Sequence, residues 1–295
     1  MKTSNTLGII LAGGNGTRMG PLTKAVSKQL LPIYDKPTIF YPLSILMLTG
    51  IKDVVIITRM EDQKSFDRLL GNGKTLGLNI KYVIQETPKG LPDAFICSAN
   101  HIKKKNVALI LGDNFFYGQG FTNRLKNSLK KNIGATIFLY PVKNPENFGI
   151  AELHKGEIKK ISEKPKKSKS NLAITGLYFF NNDAVKISKS LKKSNRGELE
   201  ITELIQKYQK KNKLRYELIG RGGAWLDTGS ANQLLNASQF VSVVEERQGL
   251  KIACLEEISL NNNWITKKEL KKRILLFRNS EYGAYLKKIF VECLK

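Results

Sequence analysis

The first half of this chain is a series of short apolar runs set between helical stretches, and the first run ends abruptly in glycine. Leu7–Leu11 is strand-sized and stops at Gly13 and Gly14. The runs Asp53–Thr58, Ile80–Gln85, Val107–Leu111 and Thr136–Tyr140 follow it. Between them, Pro42–Leu48, Phe66–Leu70, Asp93–His101 and Thr122–Lys130 carry helical patterning. Strands that alternate with helices predict an α/β fold built on a mostly parallel mixed sheet with helices on both faces. In such sheets ligands bind beyond the carboxyl ends of the strands, so the loops after Leu11, Gln85 and Leu111 should converge on one crevice.

The second half is less regular. Ile150–Leu153 and Ile158–Ile161 predict a small antiparallel insertion. Ile174–Phe180 reads as a strand, Glu200–Lys210 as a helix, and Tyr216–Gly220 as a strand running toward Ala224–Asp227. From Ser230 the pattern is mainly helical, over Ala231–Glu246, Thr266–Leu276 and Tyr282–Leu294. No repeat or Pro/Ser-rich linker divides the halves. The expectation is one main domain over residues 1–240, with a helical region over 241–295 packed on it.

Composition excludes several function classes. The 295 residues are 41% hydrophobic, enough for a sizeable core. Met1–Thr6 is short and polar, and every apolar run is strand-sized, which predicts a cytoplasmic protein without membrane association. Cys97, Cys254 and Cys293 are widely spaced, and only His101 and His154 supply imidazole, so neither a disulfide framework nor a zinc site is expected. The formal charge of +24 would suggest nucleic acid as a partner. It comes mostly from lysine in scattered clusters such as Lys103–Lys105, Lys164–Lys169 and Lys267–Lys272. Arginine forks or interleaved aromatics would mark nucleic-acid readout better, so a solvated lysine surface is expected instead.

The glycine loop carries the chemistry. In Leu11–Arg18, LAGGNGTR, glycines let backbone approach a ligand closely, and successive N–H groups can form an anion-binding concavity. It is neither a P-loop nor a dinucleotide fingerprint, because Met19 holds the third glycine position of the latter. On the loop alone, a tight turn and a triphosphate cradle both stand. The following segment, SKQLLPIYDKP at 27–37, adds Lys28 as a second cation after Arg18. Together these two segments resemble the bacterial glucose-1-phosphate thymidylyltransferases of the sugar-phosphate nucleotidyltransferase family. The resemblance continues in order through LGDN at 111–114, EKP at 163–165, TGLY at 175–178, RGELEIT at 196–202, AWLDTG at 224–229 and RQGLK at 247–251.

The resemblance implies a Rossmann-like nucleotidyltransferase core with a small antiparallel sugar-binding insertion and a helical C-terminal region serving assembly or regulation. It implies transfer of a thymidylyl group from dTTP to glucose 1-phosphate with release of pyrophosphate, assisted by Mg²⁺. Gly13, Gly14, Gly16 and Thr17 would cradle the triphosphate, with Arg18 on the leaving pyrophosphate and Lys28 assisting. Gln85 and Gly90 would meet the pyrimidine edge. Asp113 and Asp227 would hold the metal, Lys164 the sugar phosphate, and Asn114, Gly149, Glu163 and Ile174 the sugar, with Trp225 alongside. A homotetramer is implied as well. A phosphate monoester is already mostly dianionic near neutrality, so the absence of a recognisable nucleophile–base set agrees with this chemistry.

Three departures from the family pattern are visible: Met19-Gly20-Pro21 is shorter than usual, Phe148 stands where tyrosine is common, and Pro92-Asp93 is unusual beside the base-recognition loop. Alternatives are a UTP- or CTP-dependent enzyme of the same type and a non-catalytic nucleotide or polyanion binder.

Overall fold

The central strands lack polar alternation because both faces of their sheet are covered. The computed structural model describes residues 5–293, so most of the polar N-terminal segment and Leu294, where the last expected helix would end, lie outside them. The strands are β1 (Thr6–Leu11), β2 (Pro32–Ile33), β3 (Lys36–Pro37), β4 (Asp53–Thr58), β5 (Asn79–Ile84), β6 (Asn106–Leu111), β7 (Asn114–Gly118), β8 (Ala135–Pro141), β9 (Gly149–His154), β10 (Glu157–Glu163), β11 (Leu172–Phe180), β12 (Leu214–Leu218) and β13 (Gly223–Asp227). The helices are α1 (Phe40–Leu48), α2 (Met60–Leu70), α3 (Asp93–Cys97), α4 (Ala99–Ile102), α5 (Phe121–Lys131), α6 (Asp183–Lys189), α7 (Ile201–Gln209), α8 (Ala231–Gln248), α9 (Leu255–Asn261), α10 (Lys267–Leu276) and α11 (Glu281–Glu292).

Nine strands form one sheet in the order β10-β9-β11-β6-β1-β4-β5, with β8 joined to β11 and β12 to β8. β6, β1, β4 and β5 are mutually parallel, whereas β11 runs antiparallel to β6, β8 and β9. Alternate residues feed two cores. Ile10, Val54, Ile56, Ala108 and Ile110 point into one; Leu7, Ile9, Val55, Ile57, Val107 and Leu109 point into the other. β9 and β10 form the expected antiparallel insertion, continuous with the main sheet through β11.

The structure departs from the sequence expectations in several places. Asp93–His101 is two short helices, interrupted at Ser98. β12 does not run on toward Ala224–Asp227: it lies parallel to β8 in the main sheet. The glycine-rich turn at 220–223 then redirects the chain, and β13 pairs antiparallel with β7 as a separate ladder. The β2–β3 hairpin and α9 are too short to give a periodic signal in the sequence.

Local caps explain where the C-terminal helices begin. The Ser230 hydroxyl accepts from the Gln233 N–H at the start of α8, and Thr266 with Glu269 forms a reciprocal capping box on α10. Gly249 ends α8 at φ +64°, a conformation open to glycine.

A charge network joins these helices to the segment that carries Lys28. Lys36, on β3, is 2% exposed and pairs with Asp35 and with Glu245 of α8 at 2.9 Å. Lys251 bonds the other Glu245 oxygen at 3.0 Å and also Asp35, while the Ile252 N–H donates to Glu245 Oε1 at 2.8 Å. Removing one member of a buried ion pair strands the other charge without its partner. Glu245→Ala is therefore expected to cost about 3 kcal/mol in urea unfolding at neutral pH. Leu235→Ala on the exposed face of the same helix should cost no more than about 0.5 kcal/mol.

Candidate active site

The loops after β1, β5 and β6 meet where the sheet topology requires. The Gly112 N–H donates to Leu11 O at 2.9 Å, and the Gln85 N–H donates to Thr58 O at 2.9 Å. A side chain at Gly13 would come within 2.9 Å of Gln85 Oε1, so only glycine lets these loops approach each other this closely. Gly14 faces open space, Gly16 adopts φ +62°, and Thr17 opens a short helical turn over Thr17–Thr23. The Thr23 hydroxyl holds this turn by donating to Gly16 O at 2.9 Å.

One cleft gathers residues from distant parts of the chain. Arg18, Asp113, Asn114, Gly149, Glu163, Lys164, Ile174, Trp225 and Asp227 all line it. Thus every residue assigned to the sugar phosphate or the metal stands at this cleft. Lys28 reaches it through Asp113. Gly13 and Gln85 lie on the neighbouring side, where Gln85 shares a second hollow with Asn15, Arg59 and Glu86. Gly90 connects the two sides: it bridges to Leu199 of the cleft wall at φ +102°, where any side chain would collide with the Leu199 carbonyl.

The β7–β13 ladder brings the two aspartates together. Asp227 pairs with Asn114 in register, and the Thr228 N–H and hydroxyl both donate to Asp113 O, at 3.0 and 2.9 Å. Lys28 Nζ forms an ion pair with Asp113 Oδ2. Burial alone would raise the Asp113 carboxyl, but the Lys28 ammonium and hydrogen bonds from Lys28 and Asn114 outweigh it and hold the group below its ordinary value. Among the described residues no lysine or arginine pairs with Asp227 at ion-pair distance, and the Gly229 backbone supplies its hydrogen bond. Burial, then the charge of Asp113, push the Asp227 carboxyl up to about 6, with Lys28 and Arg18 opposing in part. A side chain at Gly229 would sit 2.7 Å from Arg18 Nη2 and 3.0 Å from Asp227 Oδ1, so this glycine keeps open the gap where the cation and carboxylate face each other.

Asn114 is committed to structure on three sides. Its Oδ1 accepts from the Gly176 N–H at 3.1 Å and the Trp225 indole at 2.6 Å, and its Nδ2 donates to Asp113 Oδ1 at 3.0 Å. Trp225 thus orients the aspartate at one remove. Gly176 permits this contact, since a Cβ there would come within 2.5 Å of Asn114 Oδ1. The pairing of β11 with β8 is irregular between Ile174 and Tyr178, the kind of disruption that re-aims backbone beside a site.

On the opposite wall of the cleft, Glu163 accepts from Thr202 Oγ1 at 3.1 Å and lies 3.4 Å from Arg196 Nη1. Burial, then the nearby Glu200, raise its carboxyl above the ordinary value. Lys164 is held at φ +38°, a left-handed conformation unusual for a lysine, with its N–H on Phe148 O at 3.1 Å. Arg196, Glu200 and Thr202 line the cleft although the sequence had assigned them no role. Their presence in one ordered block was the available signal. Gln29 carries no signal in the sequence, and Asp93 shows there only as a departure from the family pattern; both are buried, against Gly112 and Gln85 respectively.

Among the described residues no three His, Cys, Asp or Glu side chains cluster as a metal cage. Two carboxylates lining one cleft nevertheless suit Mg²⁺, which takes one or two carboxylates and fills its remaining positions with water and substrate phosphate. The Asp227 carboxyl is raised first by burial and then by the charge of Asp113, with Lys28 and Arg18 opposing in part. No helix among the described residues is long and apolar enough to cross a membrane.

The chain is similar to known proteins in sequence and in fold. Residues 7–243 match the nucleotidyl transferase family. The chain is 51% identical to a glucose-1-phosphate thymidylyltransferase of Neisseria meningitidis serogroup A over 280 residues, covering 95% of this chain and 97% of the relative. The enzyme of that name from Mycobacterium tuberculosis is 49% identical over the same length, with the same coverages. Among solved structures, a Bacillus anthracis chain provisionally named as a glucose-1-phosphate thymidylyltransferase, in complex with a sucrose, superposes with TM-score 0.74 at 34% identity, over 80% of this chain and 94% of that one. UDP-glucose pyrophosphorylase with UDP-glucose gives 0.71 at 25% identity, over 82% and 99%.

The sign of the Asp227 shift yields a test. A carboxyl raised in the folded state contributes stability that is fully present below its unfolded value of 3.8 and is lost as pH rises through about 6. Asp227→Asn is therefore expected to stabilise the ligand-free protein by about 1–2 kcal/mol at pH 7.5, with the gain fading toward pH 4. Thermal unfolding across that range measures it.

Proposed function

The chain belongs to the nucleotidyl transferase family, among the glucose-1-phosphate thymidylyltransferases, and from that footing we propose that its cleft transfers the thymidylyl group of dTTP to glucose 1-phosphate. The supporting observation is the convergence of Arg18, Asp113, Gly149, Glu163, Lys164 and Asp227 on a single cleft at the carboxyl ends of the parallel strands.

The reaction is one displacement. A phosphate oxygen of glucose 1-phosphate attacks the α-phosphorus of dTTP, a new P–O bond forms, and the bond to the bridging oxygen breaks as pyrophosphate departs. The attacking oxygen needs no deprotonation, because the second pKa of a phosphate monoester is about 6. What the protein must supply is alignment of two polyanions and compensation of their charge.

The glycine loop offers backbone N–H groups to the triphosphate, and Arg18 offers a guanidinium where pyrophosphate charge accumulates. Lys164 provides the cation for the sugar phosphate. Lys28, which neutralises Asp113 in the structure, is the cation nearest the carboxylate pair. On the sugar, Glu163 presents an acceptor, and the backbone at Gly149 and Ile174 adds polar groups without bulk. Asp113 and Asp227 would hold Mg²⁺, which when bound supplies neutralisation of charge at the reacting phosphoryl group.

Purified protein with Mg²⁺, glucose 1-phosphate and dTTP is expected to release pyrophosphate only when both substrates are present. Asp113→Asn should lower kcat/KM by roughly 100-fold or more while the protein remains folded. Release with neither dTTP nor another nucleoside triphosphate would end the reading. UTP is the competing substrate to include, since thymine and uracil present the same hydrogen-bonding edge.

A further inference from the structure

Gln85 and Asp93 form a buried pair beside the glycine loop. Gln85 is 5% exposed and Asp93 5%, and Gln85 Nε2 donates to Asp93 Oδ2 at 2.7 Å. The other donor to that oxygen is the Cys97 thiol, at 3.5 Å. Burial, then the charge of Asp93, push this thiol up to about 11, so it keeps its proton at neutral pH and donates. No Lys, Arg or His side chain among the described residues pairs with Asp93 at ion-pair distance.

A carboxylate only accepts hydrogen bonds, whereas a primary amide donates from nitrogen and accepts at oxygen. The Gln85 amide therefore has one stable orientation. Nitrogen meets Asp93, and oxygen points toward Gly13, whose missing side chain leaves it uncovered. Turning the amide over would set oxygen against oxygen in a buried place. Gln85 Oε1 accepts no hydrogen bond from the described residues, and it is a fixed acceptor at the side of the loop that leads into the cleft.

We propose that Asp93 is a positioning residue that locks the Gln85 amide with its oxygen outward and so selects a pyrimidine with a proton on N3, thymine or uracil, over cytosine. This rests on the nucleotidyl-transfer reading above and goes further by naming what sets base choice. The N3–H of thymine or uracil donates to Gln85 Oε1. The N3 of cytosine is itself an acceptor and meets that oxygen lone pair to lone pair. The Gly90 N–H, which donates to no other group among the described residues, can serve a neighbouring base carbonyl. Cytosine could satisfy this donor and acceptor only by sliding one position along its edge, giving its amino group to Gln85 and N3 to Gly90. That slide carries the ribose and triphosphate off the seat fixed by the glycine loop, so cytosine either leaves Gln85 and Gly90 mismatched or gives up phosphate contacts, a loss taken in binding and therefore in KM.

Steady-state pyrophosphate release from the full chain, with glucose 1-phosphate and either dTTP or dCTP, tests this, with UTP as a third substrate. The native protein should prefer dTTP over dCTP by at least about 100-fold in kcat/KM. Asp93→Asn, which can both donate and accept, frees the amide, and the preference should fall about 10-fold or more, through KM more than kcat. Asp93→Glu, which keeps the carboxylate, should recover most of it, while the dTTP to UTP ratio stays unchanged throughout. Equal losses on dTTP and dCTP in Asp93→Asn would mark a structural role only and overturn the proposal, as would a native protein indifferent to the two. If Asp93→Asn does not fold, Gln85→Met, which removes the acceptor, must collapse the same preference, and an unchanged ratio overturns the proposal. Calorimetric binding of dTTP and dCTP separates the two readings: discrimination in binding without turnover leaves this inference standing and removes the thymidylyl-transfer one.

Discussion

Two carboxylates held in one cleft, Asp113 and Asp227, set the demand that the surrounding structure answers. Asp227 shifts upward, first because it is buried and then because Asp113 repels it. Lys28 offsets the repulsion on one side and Arg18 contributes on the other. The arrangement costs stability in the ligand-free protein and is suited to a cation and polyphosphate. A site built to stabilise charge that arrives with its substrates is strained without them.

The scaffold holds this pair through rigid elements. Asp113 follows β6, a central strand of the parallel block, and Asp227 ends β13, whose ladder with β7 fixes their register. Asn114, gripped by Trp225 and the Gly176 N–H, supports Asp113 from below. Lys28 is kept in reach by a short hairpin whose own lysine, Lys36, is anchored to Glu245 of α8. The C-terminal helices thereby bear on the site without contributing a residue to the cleft.

Much of this was legible in the sequence, and the exceptions share a cause. The parallel block was readable because each of its strands is a continuous apolar run, and the cleft because its residues sit in short blocks of distinctive chemistry. The β7–β13 ladder was not readable: Asn114–Gly118 and Gly223–Asp227 are each five residues long, and their pairing depends on a partner far away in sequence. The same holds for Asn114, whose carbonyl is taken by a tryptophan that no local pattern associates with it. Arg196 looked like one surface cation among many until Glu163 and Glu200 were seen around it. Asp93 stood out only as a departure near the base loop, and its meaning required the Gln85 contact.

The account holds that the protein aligns two anionic substrates for direct displacement and lends no nucleophile of its own. The most direct measurement is the stereochemical course at the α-phosphorus, followed with dTTP of a single configuration in which sulfur replaces one non-bridging α oxygen. One in-line displacement inverts that centre, and inversion in the dTDP-glucose analogue is the predicted result. Retention would require two displacements through a covalent enzyme intermediate and would contradict the account.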